Sequence, residues 1–100
     1  MTAARFRVII APVALRDLDD IADTIALDSP VNAVRFIARI RAAVARLDRL
    51  PARGALAPEG VLGGVPARNL VVGEYRIVYV VRGSAVHVLG VRHKRRLPMS

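Results

Sequence analysis

Arg68-Asn69-Leu70-Val71-Val72-Gly73-Glu74-Tyr75-Arg76-Ile77-Val78-Tyr79-Val80-Val81-Arg82-Gly83-Ser84-Ala85-Val86-His87-Val88-Leu89-Gly90-Val91-Arg92 is the stretch that decides the fold. It contains three runs rich in β-branched and aromatic residues, at 68–72, 75–81 and 86–92. Gly73-Glu74 and Arg82-Gly83-Ser84 separate them, and both connections are short enough for hairpin turns. Three consecutive antiparallel strands are therefore predicted. The middle run is apolar on both faces. Tyr75, Ile77, Tyr79 and Val81 point one way, and Arg76, Val78, Val80 and Arg82 point the other, because side chains alternate along a strand.

Upstream, Arg5-Phe6-Arg7-Val8-Ile9-Ile10 alternates arginine with Phe6, Val8 and Ile10, the period of a first strand with one buried face. Pro12 suits a first helical position, and Leu15, Leu18, Ile21, Ala22 and Ile25 follow at helical spacing, with Asp17, Asp19, Asp20 and Asp23 around them. Asp28-Ser29-Pro30 ends that helix and starts another, with Asp28 or Ser29 as cap. The second helix is predicted over 31–50, with a stripe of Val34, Ile37, Ile40, Val44 and Leu47 and with Arg35, Arg39, Arg46 and Arg49 outside it. So short a connection makes the pair an antiparallel hairpin whose acidic and basic edges can meet. Residues 51–66, with three prolines, four glycines and no period, read as a loop. The expected fold is α+β: β-α-α-β-β-β, a helix hairpin on one face of a mostly antiparallel sheet.

Two helices cover only one face of the middle strand. The other is read as an exposed apolar patch framed by arginine, which favours a binding surface. The alternatives are that residues 51–66 fold over it or that a homodimer buries it.

At 100 residues the chain suits one domain, residues 1–100, and 54% hydrophobic composition gives ample material for its core. No apolar run approaches the roughly 18–20 residues needed to cross a bilayer, and residues 1–7 lack a signal-peptide hydrophobic region, so no membrane association is expected and the cytoplasm is the expected location. There is no cysteine, which removes disulfides, thiolate nucleophiles and cysteine zinc sites. The net charge is +8. Residues 1–50 hold eight arginines against six aspartates, whereas residues 51–100 hold eight basic residues against Glu59 and Glu74, so the second half carries +6. It ends in Arg92-His93-Lys94-Arg95-Arg96. Such a balance seeks an anionic partner, nucleic acid or an acidic protein segment.

Most chemistries are excluded by what is missing. Two histidines, His87 and His93, with scattered aspartates do not make a metal-ligand set, and no cofactor is expected. No serine or threonine sits in a nucleophile elbow, and Gly63-Gly64 is followed by Val65-Pro66, where a phosphate cradle needs a donor. Two features remain: Arg76 inside an apolar strand, directly after Tyr75, and the terminal basic cluster. Hairpin pairing of the last two strands returns that cluster to the start of the strand that carries Arg76, so several arginines gather where an anion could bind.

These residues, in this order, resemble the RelE/ParE superfamily of bacterial type II toxins, and the ParE branch more closely. The resemblance runs through Pro12-Val13-Ala14-Leu15-Arg16-Asp17-Leu18-Asp19-Asp20-Ile21, Asp28-Ser29-Pro30, Ala33-Val34-Arg35-Phe36-Ile37, Leu50-Pro51, Arg68-Asn69-Leu70, Val72-Gly73-Glu74-Tyr75-Arg76-Ile77-Val78-Tyr79 and Val91-Arg92-His93-Lys94-Arg95-Arg96. It implies a toxin neutralised in a hetero-oligomer by a cognate antitoxin, whose acidic, amphipathic C-terminal segment wraps across the helix hairpin and sheet. ParE-like members are implied to inhibit DNA gyrase with no catalytic site of their own. The alternative, RelE-like, is a ribosome-dependent endoribonuclease that cleaves mRNA with basic residues and a tyrosine.

On that alternative Arg76 and Arg95 fall on or near the catalytic arginines, with His93 as acid or base. The pattern departs where lysines would be expected, since Arg68 and Asn69 stand there, and no tyrosine follows the terminal cluster. Target or antitoxin binding is assigned to Arg68, Tyr75, Arg76, Val78, Val80, Arg92, Lys94, Arg95 and Arg96. A plain nucleic-acid-binding module is disfavoured by 4% aromatic residues and the lack of a recognition helix.

Overall fold

The computed structural model describes residues 5–98; residues 1–4, part of the N-terminal stretch read for a signal sequence, and residues 99–100 lie outside the description. The elements follow as β1 (Arg7–Ile10), α1 (Pro12–Ala26), α2 (Pro30–Ala45), a 3-10 turn at Arg46–Asp48, another at Pro51–Arg53, β2 (Ala55–Leu62), β3 (Val65–Val72), β4 (Tyr75–Arg82) and β5 (Ala85–His93). One sheet has the order β1-β5-β4-β3-β2, antiparallel except for the parallel pairing of β1 with β5. The α+β class and the helix hairpin on one face hold. No helix among the described residues is long and apolar enough to cross a membrane.

Pro12 opens α1 and Pro30 opens α2, at positions where a missing N–H costs no helical bond. Of the two cap candidates, Ser29 serves: its side chain accepts from the Asn32 N–H at 3.2 Å. The predicted second helix is shorter as an α-helix, ending at Ala45 and tightening into the 3-10 turn that buries Leu47. Its buried stripe is also rotated. Val34, expected inside, is 73% exposed, while Ala33, Ile40, Ala43 and Val44 are buried. Small residues on the inner face let the helices and sheet approach closely, and on α1 Ala14 rather than the exposed Leu15 is buried. Among the described residues no ion pair joins the two helices, so the expected pairing of their charged edges is not made.

The main core lies between hairpin and sheet, with Ile77 and Tyr79 of β4, Val86, Val88 and Val91 of β5, and Leu18, Ile21, Ile40 and Leu47 from the helical side. Where β1 ends, β5 loses its neighbour. There Asp17 of α1 substitutes for a strand, its carboxylate accepting from the Val91 N–H at 3.0 Å.

Two corrections concern residues 51–66. They are not a loop: Pro51–Arg53 is a 3-10 turn and Ala55–Leu62 is an edge strand, β2. Its period is hidden because the register with β3 jumps from Leu56↔Arg68 to Val61↔Pro66, so that residues 57–60 oppose Ala67 alone. The outer face of β4 is therefore not an open patch. Val78 is 0% and Val80 3% exposed, packed with Ala57 and Ala67 in a second cluster that Leu62, Val65 and Leu89 flank. The reading in which residues 51–66 fold over this face holds, and Val78 and Val80 offer no free surface.

Tyr79 ties the first 3-10 segment of that stretch to the sheet. Its buried hydroxyl donates to the Pro51 carbonyl at 2.6 Å and accepts from the Gly54 N–H at 3.0 Å. Gly54 has no room for a side chain, since a Cβ would collide with the Tyr79 hydroxyl and stand 2.9 Å from the Asn69 carbonyl. Burial raises the Tyr79 pKa above 10.0, against the lowering effects of the Gly54 N–H and the charges of Arg68 and Arg53. Tyr79→Phe, which leaves the Pro51 carbonyl without its donor, is expected to cost about 1–3 kcal/mol in a denaturant titration. Because the folded pKa lies above the unfolded one, this group's contribution is complete below about pH 10 and is lost as pH rises through the folded value. The alkaline fall in stability should accordingly be shallower in Tyr79→Phe than in the parent chain.

Candidate functional site

Three basic features emerge, and each is positioned by a different part of the fold. The first is the end of β5. Tyr75 and His93 are register partners, with ring centroids 5.3 Å apart in an edge-to-face contact. Phe36 of α2 adds a tilted contact to Tyr75 at 5.5 Å, and the Arg39 guanidinium lies 5.6 Å from the Phe36 centroid. This aromatic row joins the helix hairpin to the sheet terminus.

The chain then turns: Lys94 N–H donates to the Glu74 carbonyl at 2.8 Å, Arg95 N–H to His93 Nδ1 at 3.1 Å, and Arg96 N–H to the His93 carbonyl at 3.0 Å. With Nδ1 acting as acceptor, the His93 proton sits on Nε2 in the neutral ring. The turn projects Lys94, Arg95 and Arg96 into solvent. Lys94 also approaches Glu74 at 3.9 Å, a loose surface pair that contributes little. A small cleft of about 220 Å³ lies against this turn, where Asp17, Asp20 and Thr24 of α1 face Tyr75, His93 and Arg96.

The second feature is Arg76, which the sequence singled out. It is on the outer face of β4, 5% exposed, and both of its terminal nitrogens bond Glu59 of β2 at 2.6 Å, the carboxylate being fully buried. Asn69 Oδ1 accepts a longer bond at 3.4 Å. Arg92 is its cross-strand partner, and the Arg92 Nε is buried with no acceptor among the described residues. Arg76 and the terminal turn are thus near in sequence register but differ sharply in access. The turn is open, while Arg76 is engaged inside the protein.

The third feature is a groove of about 420 Å³ between α2 and β3, with Arg39, Arg46 and Arg53 around a floor of Ala42, Ala43 and Leu70. Residues 51–53 bring Arg53 there because Tyr79 and Arg68 pin that turn. Arg68 donates to the Gly54 carbonyl at 2.8 Å and the Ala52 carbonyl at 3.4 Å, so it acts as a clamp on the backbone.

Of the residues picked from sequence, Tyr75, His93, Lys94, Arg95 and Arg96 come together at one end. Arg76 and Arg92 adjoin each other on the outer face, Arg68 is turned to the backbone, and Val78 and Val80 are buried. Glu59, Arg53 and the groove arginines Arg39 and Arg46 were missed as site residues. Glu59 carried a signal, as one of only two acids in residues 51–100, while Arg39 and Arg46 looked like an ordinary solvated helix face. Among the described residues no group of three or more His, Cys, Asp or Glu could hold a metal ion.

The family model for the ParE toxin of the type II toxin-antitoxin system parDE matches residues 8–98. The chain belongs to the ParE toxin family. A relative in Caulobacter vibrioides, Toxin RelE2, is 37% identical over 84 residues, covering 84% of this chain and 90% of the relative. Two solved structures share the fold of this ParE-family toxin. One, from the chromosomal ParDE system of P. aeruginosa, has a TM-score of 0.74 at 23% identity and covers 91% of this chain and 98% of that one. The other, from the RelBE2 toxin-antitoxin complex of Mycobacterium tuberculosis, has a TM-score of 0.62 at 21% identity and covers 95% and 98%. The protein is thus a toxin of a type II toxin-antitoxin system.

The Arg76–Glu59 pair gives a direct structural expectation. Arg76→Met leaves the Glu59 carboxylate buried without its guanidinium and should lower stability by about 3–5 kcal/mol. The double variant R76M/E59M should recover most of that loss in the same urea titration, because it removes both charges together.

Proposed function

We infer that this ParE-family toxin arrests growth by inhibiting DNA gyrase and is restrained by a cognate antitoxin in a cytoplasmic hetero-oligomer. The observation that carries the choice of target is the state of Arg76. An arginine that is to stabilise charge on a phosphate must reach the phosphate. Here both terminal nitrogens are taken by a buried carboxylate. What stays accessible is a charged, aromatic-backed rim at Tyr75, His93, Lys94, Arg95 and Arg96, which suits recognition of a protein surface. Its arginines are assigned to target binding.

The groove between α2 and β3 fits the antitoxin. Its apolar floor takes one face of an amphipathic segment, and Arg39, Arg46 and Arg53 take the acids on the other. The alternative, a RelE-like endoribonuclease acting on ribosome-bound mRNA, draws support from the Tyr75–His93 contact beside Arg95, since an imidazole and a phenol there supply proton-transfer groups.

Purified toxin is expected to reduce supercoiling by DNA gyrase and to leave ribosome-bound mRNA intact. Unaffected supercoiling with cleavage of that mRNA would transfer the assignment to the endoribonuclease reading. Arg39→Glu combined with Arg46→Glu should weaken binding of the antitoxin's acidic segment by at least about tenfold, or 1.4 kcal/mol, in a titration at constant salt. Growth arrest that survives Arg95→Ala would remove Arg95 from the target surface.

A further inference from the structure

The outer face of the sheet holds a pair of guanidinium groups for which neither gyrase nor antitoxin binding supplies a use. Arg76 and Arg92 are cross-strand partners, so both side chains leave the sheet on the side opposite the helices. Arg76 is buried and Arg92 half-buried beside it, so the two like charges repel each other and the repulsion is relieved by a counter-anion. The Glu59 carboxylate supplies it, bonded to both terminal nitrogens of Arg76. The Arg92 Nε next to this pair is buried with no acceptor among the described residues, a donor that has lost water without gaining a partner there.

Glu59 reaches this place from an unusual segment. Residues 57–60 leave the β2–β3 ladder between Leu56 and Val61, and Gly60 has φ +73, a left-handed conformation that glycine tolerates without strain. The small cluster beneath, built on Ala57, Ala67, Val78 and Val80, is separate from the main core. The segment can therefore lift without opening the contacts between helices and sheet. Moreover, a buried ion pair is a poor way to stabilise a fold compared with apolar side chains of similar size. Stability alone gives little reason for three charged groups here.

We propose that residues 57–60 are a strap over a self-occupied oxyanion site: Arg76 and Arg92 form the site, Glu59 is its internal ligand, and outward movement of the strap admits a phosphate or carboxylate group in its place. The proposal bears on the choice of target, because the engagement of Arg76 that favours gyrase describes the closed strap. Tighter binding in the phosphate arm of the test below shifts the assignment toward the endoribonuclease reading, and tighter binding in the acetate arm leaves the gyrase reading in place. A tethered carboxylate competes at the high effective concentration of a short linker, so the closed state excludes dilute anions. The site opens to a ligand that offers an oxyanion together with contacts that hold the strap aside.

The test follows the arginine Nε–Hε resonances of the parent chain and of Glu59→Gln by NMR, at constant ionic strength set with chloride. Inorganic phosphate is titrated in one arm and acetate in the other. Glu59→Gln removes the internal charge and keeps its shape, and should bind one of these anions about tenfold more tightly than the parent chain, with the Arg76 and Arg92 resonances moving together. The tighter arm identifies phosphate or carboxylate as the preferred group. In E59Q/R92M the gain should disappear. Equal affinity in the parent and Glu59→Gln, or shifts confined to Arg95 and Arg96, would overturn the proposal.

Should Glu59→Gln fail to fold, amide hydrogen exchange of the parent chain decides. The Ala57, Glu59 and Gly60 amides are expected to exchange through a local opening of lower free energy than that protecting Ile77 and Val88. Exchange of those three amides only through global unfolding would sink the strap.

Discussion

The central strand β4 is apolar on both faces, and the rest of the molecule is organised by the need to keep water from each. A sheet strand of this composition cannot stop at one covered side without leaving Val78 and Val80 in solvent. The helix hairpin buries Ile77 and Tyr79 on one side, and the displaced segment of β2 buries Val78 and Val80 on the other. These are different solutions to the same requirement. The hairpin is built from long periodic elements and forms the larger core, whereas the outer cover is a short irregular piece of an edge strand held at its ends by β3 and in its middle by Glu59.

Each cover brings polar groups into dry surroundings, and apart from the Arg92 Nε each such side-chain group among the described residues is answered by a specific partner. Tyr79 enters the inner core with its hydroxyl between the Pro51 carbonyl and the Gly54 N–H, and so determines where the 51–53 turn lies. Asp17 supplies the acceptor that β1 is too short to give Val91. Arg76 is matched by Glu59. Directional bonds of this sort add modestly to net stability, but an unmatched partner in the interior is costly, so they specify geometry more than they strengthen it.

The basic surfaces are shaped by the same arrangement. The outer arginine is engaged internally, whereas basic side chains gather in the open at the end of β5 and along the groove that α2 shares with β3. Tyr75 and Phe36 stiffen the first of these, and the Tyr79-pinned turn places Arg53 in the second. The two basic surfaces are separate, and they are carried by different residues.

Much of the fold was legible in the chain itself. Period-2 alternation at 5–10, β-branched and aromatic runs at 68–92, hairpin-length turns at Gly73-Glu74 and at Gly83-Ser84, and prolines at the two helix starts report local preferences that the tertiary structure has no reason to override. The return of the terminal basic cluster to Tyr75 was legible as well, since antiparallel pairing fixes it. Val34 and the β2 segment were not. Which helical face turns inward depends on how closely two helices and a sheet approach, and small alanines decided that against the more apolar valine. Residues 57–60 show no period because they are not in the ladder, and their place comes from a carboxylate meeting an arginine 17 positions away. The sequence by itself determined the elements, their order and the excess of positive charge. Only the tertiary structure decided which arginines are free, because that depends on long-range pairing inside a covered face, and local residue pattern carries no record of it.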